Sequence, residues 1–250
     1  MKEKLNAYGC LVDQSVFKGL LYLSEALQYY WPAKLANVKG DLNSDVINLI
    51  GENNIALHLA RSFSENGFLV WAEVPFNTRD RSQRLDFLAY HYSKGILVAL
   101  ELKNSISTPQ NNFKDLQRMV EISKIGFANE THSFNSSTIE YSPYKMYGVI
   151  SILERVEFAD WWNMPQDNEM VLAHCGRNPE VYKTIGQALA KADLRSVVPL
   201  IEMLSLGQYP NEYEQLLKLF RNRCIRAGYA LYHEDTVKTG LASVINPDGH

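Results

Sequence analysis

The sequence predicts an α/β protein, a mixed β-sheet flanked by helices, with further helical segments at both ends. Three features predict it. Two short apolar runs separated by Ser93, Lys94 and Gly95 read as a β-hairpin. A helix-spaced stretch followed by the apolar run Tyr144–Leu153 gives the order strand, helix, strand, which implies a right-handed parallel crossover. Ahead of the hairpin, apolar residues recur at helical spacing.

Residues 1–43 form the N-terminal helical segment, with Val16, Leu20, Leu23 and Leu27 on one stripe and Trp31-Pro32 closing it. Tyr22, Tyr29, Tyr30 and Trp31 read as core packing, with base stacking or a partner surface as the other reading. Residues 44–178 form the core. Ser44 or Asp45 can cap a helix that breaks at Gly51 and stops at Asn66-Gly67. Within it Glu52, Ala56, Leu59 and Phe63 fall at intervals of four, three and four, which puts a carboxylate on the stripe that faces the core. Two readings of Glu52 follow: a site carboxylate paired with a cation, or an acid in an exposed first turn favoured by the helix dipole.

Phe68 to Phe76 reads as the next strand, with Pro75 near its end. Glu73 in it is an outer residue of the site or a solvent-facing partner of Arg79, Arg81 or Arg84. The polar loop Asn77 to Arg84 brings those three arginines together, to meet phosphates or to stay solvated. In the hairpin, Ile96, Val98, Leu100 and Leu102 share one face and Leu97, Ala99, Glu101 and Lys103 the other. An antiparallel pairing brings Asp86 beside Glu101. Two carboxylates that close repel unless a cation lies between them, and hard oxygen ligands suit Mg²⁺ or Mn²⁺.

A helix then begins near Asn112, with Phe113, Leu116 and Val120 on its apolar side and Lys114, Gln117 and Arg118 beside them. Lys114 and Arg118 suit nucleic-acid backbone contacts or plain solvation. Ala128 to Pro143 is polar and reads as a loop, and Met170 to His174 can add an edge strand. Residues 179–250 form a C-terminal helical region, with helices over Pro179–Ala190, Leu194–Leu206 and Asn211–Tyr232. Arg221, Arg223 and Arg226 cluster in the last of these.

The chain has 250 residues, 46% hydrophobic and 21% charged, the composition of a soluble globular protein. Its formal net charge of −3 argues against a coat of basic residues, so nucleic-acid contact has to come from a local patch. The start carries Asp13, Gln14 and Lys18 among its apolar residues, unlike a signal peptide, and no run is long enough to span a bilayer, so a cytoplasmic protein without membrane contact is expected. Cys10, Cys175 and Cys224 are scattered and odd in number, which fits reduced thiols, and His174-Cys175 lacks a second pair to complete a metal site. No Gly-x-Ser-x-Gly stretch, phosphate-cradling Gly-rich loop or His-Glu-x-x-His pattern is present.

Asp86, a following strand that ends Glu101-Leu102-Lys103, and a Glu-bearing helix upstream together resemble the catalytic core of the PD-(D/E)XK nuclease superfamily, the restriction-endonuclease-like fold. The resemblance covers roughly Ser44 to Leu153, and Leu85 stands where the family name has proline. It implies the element order αβββαβ and a Mg²⁺-dependent phosphodiesterase, with Mn²⁺ able to substitute. Asp86, Glu101, the backbone carbonyl of Leu102 and Glu52 would then hold metal, and Lys103 would position the attacking water. Gln117 takes the place of a glutamine that reaches the site in many relatives. Arg79, Arg81, Arg84, Lys114 and Arg118 are the nucleic-acid contacts. The expected substrate is DNA ahead of RNA, the expected enzyme an endonuclease, and a homodimer suits a duplex cutter. The alternative is a catalytically inactive nuclease-fold protein that binds nucleic acid or serves as a scaffold, and a third reading is a plain α/β protein with Glu101 and Lys103 on an exposed strand end.

Overall fold

A computed structural model describes residues 2–35, 50–75, 84–104, 109–125, 144–153, 156–165, 179–201 and 225–246. Helix α1 (Lys2–Leu35) continues through Pro32 instead of closing there, since a proline removes one hydrogen bond and bends a helix without having to end it. Helix α2 (Glu52–Glu65) starts from Gly51 and stops at Asn66 and Gly67, where glycine tolerates the left-handed φ of 83°. Then come β1 (Leu69–Pro75), β2 (Arg84–His91) and β3 (Ile96–Lys103), helix α3 (Pro109–Ile125) and strand β4 (Tyr144–Leu153). Helices α4 (Val156–Asn163) and α5 (Pro179–Ala190) lead to β5 (Leu194–Ile201) and β6 (Ile225–His233). A last helical segment passes from Glu234–Thr236 through a π-helical Val237–Leu241 to Ala242–Ile245.

Among the described residues, six strands form one mixed sheet in the order β1-β2-β3-β4-β6-β5. Only β3 and β4 run parallel, as the strand, helix, strand order requires, and the other pairs are antiparallel. Alternation along the strands sorts the core into two layers. On one face Val98, Leu100, Leu102, Ile150, Tyr229 and Leu231 pack with α1 and α2. On the other, Leu97, Ala99, Tyr147, Val149, Ala230 and Tyr232 pack with α3, α4, α5 and the last helical segment. Helices therefore flank both faces.

Helix α1 is joined to α2 by buried polar contacts as well as by apolar packing. Ser62 Oγ donates to Ser15 O at 2.8 Å, and Asn66 Nδ2 donates to Ser15 Oγ at 2.8 Å. Tyr22 belongs to this seam: its hydroxyl donates to Glu65 at 2.6 Å and the Arg61 guanidinium lies 3.9 Å over its ring. It is engaged within the protein and not free to stack on bases. The side chains of Tyr29, Tyr30 and Trp31 lie outside the described residues.

The C-terminal region is not the all-helical addition that its propensities suggest. Helix α5 forms as expected, but residues 194–201 and 225–233 are strands of the same sheet. Ala, Leu and Arg favour helix in Ile225–His233, yet Ala227, Tyr229 and Leu231 fill one layer while Ala230 and Tyr232 fill the other. A strand buried on both faces shows no polar alternation, so its period is hidden. In β5 Pro199 sits on the edge of the described sheet, where proline is tolerated, beside a register irregularity between Pro199 and Ile201. Arg226 thus lies on a strand, not a helix, and Arg221, Arg223 and the edge strand expected at Met170–His174 fall outside the described residues. So do Cys175, Cys224, His174 and the loop Ala128–Pro143, while Cys10 is an exposed free thiol.

Gly148 sits at the centre of this sheet, between Leu100 of β3 and Leu231 of β6. A Cβ there would lie 2.8 Å from the carbonyl oxygen of Ala230, a backbone atom that cannot step aside, and would also overlap the Leu231 side chain. Gly148→Ala is expected to destabilise the fold by about 1–3 kcal/mol or more through forced overpacking. Urea unfolding followed by far-UV circular dichroism checks this, and an unchanged midpoint would contradict the close approach of β4 and β6.

Candidate active site

One register and one face assemble the site. Strand β2 pairs with β3 so that Phe87 faces Leu100, and the next step along places Asp86 opposite Glu101. Leu97 and Ala99 of β3 point into the layer beneath α3, so Glu101 and Lys103 continue on that face. Glu101 is 0% exposed. The Leu102 N–H donates to Asp86 Oδ2 at 2.7 Å and fixes that carboxylate against the end of β3.

Lys103 is the hub. Its Nζ lies 3.4 Å from Asp115 Oδ2, 3.7 Å from Glu52 Oε1 and 4.0 Å from Asp86 Oδ2. Glu52 reaches it from the first turn of α2, where its carboxylate is partly exposed and lies 3.7 Å from the ammonium. Helix α3 closes the other side. Arg118 Nη1 donates to Glu101 Oε1 at 2.9 Å and lies 3.5 Å from Asp115 Oδ1.

Asp115 was not among the expected site residues, although a signal for it is present. Asp115, Met119 and Ile122 fall at intervals of four and three, the same pattern that singled out Glu52, and all three are buried. Arg118 was expected at the surface as a backbone contact; instead it turns inward to Glu101. A buried carboxylate left uncompensated is costly, and the Arg118 guanidinium offsets Glu101 while remaining partly exposed itself. Gln117 is half-buried on α3, and no hydrogen bond joins it to the group among the described residues. Lys114 and Arg84 are exposed, and Arg79 and Arg81 lie outside the described residues.

Glu73 lies on β1 between the pairs Ala72–Phe87 and Val74–Leu85, which puts it across from Asp86. Its φ is 55°, an uncommon conformation for a residue other than glycine, and its side chain is exposed. Trp71 and Val74, three residues apart, consequently pack in one layer, as do Leu85 and Leu88 on β2. Regular alternation forbids that on either strand. The pleat is broken at Asp86.

The electrostatics follow from burial. Burial first, then the charge of Asp86, push Glu101 up to about 8 against the pull of Arg118. Burial likewise raises Glu52 and Asp115, each against Lys103. Burial works to lower Lys103, but Asp115, Asp86, Glu52 and Glu101 together outweigh it and raise the lysine. Among the described residues, Glu101 Oε2, Asp115 Oδ2 and Ser151 Oγ are buried and meet no hydrogen-bond partner, and Ser151 of β4 is in register with Lys103. Four carboxyl groups thus face two basic groups. Among the described residues, no three His, Cys, Asp or Glu side chains already converge as a metal cage.

Folding raises Glu101 from its ordinary 4.5 to about 8, so across that window the folded chain keeps a proton that the unfolded chain has lost. Stability is therefore highest at low pH as far as this group is concerned and falls as pH rises, by up to about 1.4 kcal/mol per pH unit. Glu52 and Asp115 add the same sign. In chelator, Glu101→Gln is expected to flatten this slope and to make the protein more stable than wild type above about pH 8, measured by urea unfolding across pH. Equal slopes for the two proteins would show that Glu101 ionises freely.

No family model, curated protein or solved structure matches this chain, so its function rests on the geometry alone.

Proposed function

We propose that this chain is a metal-dependent nuclease with a restriction-endonuclease-like core, an endonuclease acting on DNA ahead of RNA. The observation that carries the reading is Glu101: a fully buried carboxyl, one oxygen of which meets no hydrogen-bond partner among the described residues, opposite Asp86 and two residues before Lys103. The order α2-β1-β2-β3-α3-β4 and the mixed sheet support it. The donor set suits a hard divalent cation, because its donors are oxygens and the four carboxyl groups share two basic groups, Lys103 and Arg118.

Asp86, Glu101 and the Leu102 carbonyl would hold Mg²⁺ or Mn²⁺, with Glu52 alongside. When bound, the ion polarises the phosphoryl oxygen and lowers the pKa of a water in an in-line displacement. The Leu102 N–H aims Asp86. Lys103, within 4.0 Å of Asp86, orients the attacking water and offsets charge on the phosphate. The partly exposed Glu52 orients the water from the solvent side.

One observation favours a second reading, a nuclease-fold protein that binds nucleic acid without cutting it. Arg118 holds Glu101 Oε1 at 2.9 Å, and a metal at Glu101 has to displace it or share the carboxylate with it.

Labelled single-stranded, double-stranded and branched DNA, with an RNA control, separate the two at low salt in Mg²⁺, Mn²⁺ or chelator. Metal-dependent cutting is expected, reduced by about 10²–10⁴-fold in Asp86→Ala and in Lys103→Ala, both still folded by circular dichroism. Nucleic-acid binding without cutting in any metal would establish the second reading. Neither metal binding nor cutting would end the nuclease reading.

A further inference from the structure

Lys103 has three carboxylates within 4.0 Å, and they are not equivalent. Asp115 is the nearest at 3.4 Å and its side chain is 5% exposed, against 39% for Glu52 and 18% for Asp86. Attraction strengthens as water is excluded, so the driest and closest carboxylate sets where the ammonium rests. Asp115 is itself fixed. It lies on the buried stripe of α3 with Met119 and Ile122, and Arg118 flanks its other oxygen at 3.5 Å.

We propose that Asp115 is the positioning residue of Lys103, holding the ammonium on the α3 side of the site and off the Asp86–Glu101 pair. The proposal rests on the nuclease reading above and extends it. Without this anchor, Asp86 and Glu52 are the carboxylates left within 4.0 Å of the ammonium among the described residues. There it competes for the oxygens that the metal needs and leaves the place from which it meets the attacking water. Asp115 Oδ2 is buried and holds the ammonium at 3.4 Å chiefly by charge, and the three ammonium donors leave capacity for water and phosphate.

A residue that merely balances buried charge would also matter for stability, so the test asks whether Asp115 acts through Lys103. Mn²⁺ affinity is measured by calorimetry on the full chain for wild type, Asp115→Asn, Lys103→Met and the double variant. Asp115→Asn is expected to weaken Mn²⁺ binding by about 10–100-fold and to lower kcat with KM little changed. The double variant is expected to bind Mn²⁺ as Lys103→Met does. An equal weakening with and without Lys103 would show a plain through-space charge effect and overturn the proposal, as would no weakening at all. If wild type binds no Mn²⁺, the nuclease reading itself fails and this proposal falls with it. Should Asp115→Asn not fold, a Mn²⁺-bound crystal structure of the wild type decides. Lys103 is expected to remain on Asp115 with the ion on Asp86 and Glu101, and an ion on Asp115 would refute its positioning role.

Discussion

A carboxyl group buried at the end of a central strand governs this structure. Glu101 is on β3, between β2 and β4 and beneath α3, and cannot turn to water from there. An ionised carboxylate in such a place needs a cation or a proton. The protein supplies some of both: Arg118 binds one oxygen, and burial raises the group toward the protonated form. The other oxygen meets no hydrogen-bond partner among the described residues. A leucine there would avoid the cost of burying the group, and on the nuclease reading the carboxyl is present to meet a cation.

The surrounding elements bend to this constraint. Helix α3 would be an ordinary amphipathic helix but for Asp115 and Arg118, which break its apolar face where it crosses the end of β3. On the other side, β1 and β2 lose their alternation across from each other, with Glu73 held at positive φ. Such a conformation costs on the order of 1–3 kcal/mol and persists only where neighbours enforce it. It falls opposite Asp86, the carboxylate that faces Glu101.

Residues close in sequence made the centre of the site legible. Asp86 and Glu101 are joined by a hairpin whose turn ends at Gly95 with φ 63°, so alternation and one register fix which side chains meet. Glu52 was legible through its stripe. Asp115 carried the same signal but sat in a helix read for its apolar residues, and Arg118 was misplaced because an arginine one turn from solvent gives no sign of which way it points. The two C-terminal strands were illegible for another reason. Ala227, Gly228, Tyr229 and Ala230 are all enclosed between sheet neighbours and two helical layers, so no polar residue marks the strand period. What makes β6 a strand is a partner more than seventy residues earlier, β4, and β5 in turn pairs with β6; a local reading has no access to either.

The charge balance also bears on the order of events in the proposed reaction. Even with Glu101 protonated, the other three carboxyl groups outnumber Lys103 and Arg118 by one, in a chain of formal net charge −3. A phosphodiester brings another negative charge to the same place. In this partly dry setting two like charges about 4 Å apart repel by roughly 4 kcal/mol at an intermediate effective dielectric. Nucleic acid therefore gains little from approaching the metal-free site. A divalent cation reverses the sign of that argument, because it neutralises the excess and presents positive charge to the incoming phosphate. On the nuclease reading, metal precedes substrate at the catalytic centre, and the two internal cations hold the carboxylates in place until it arrives.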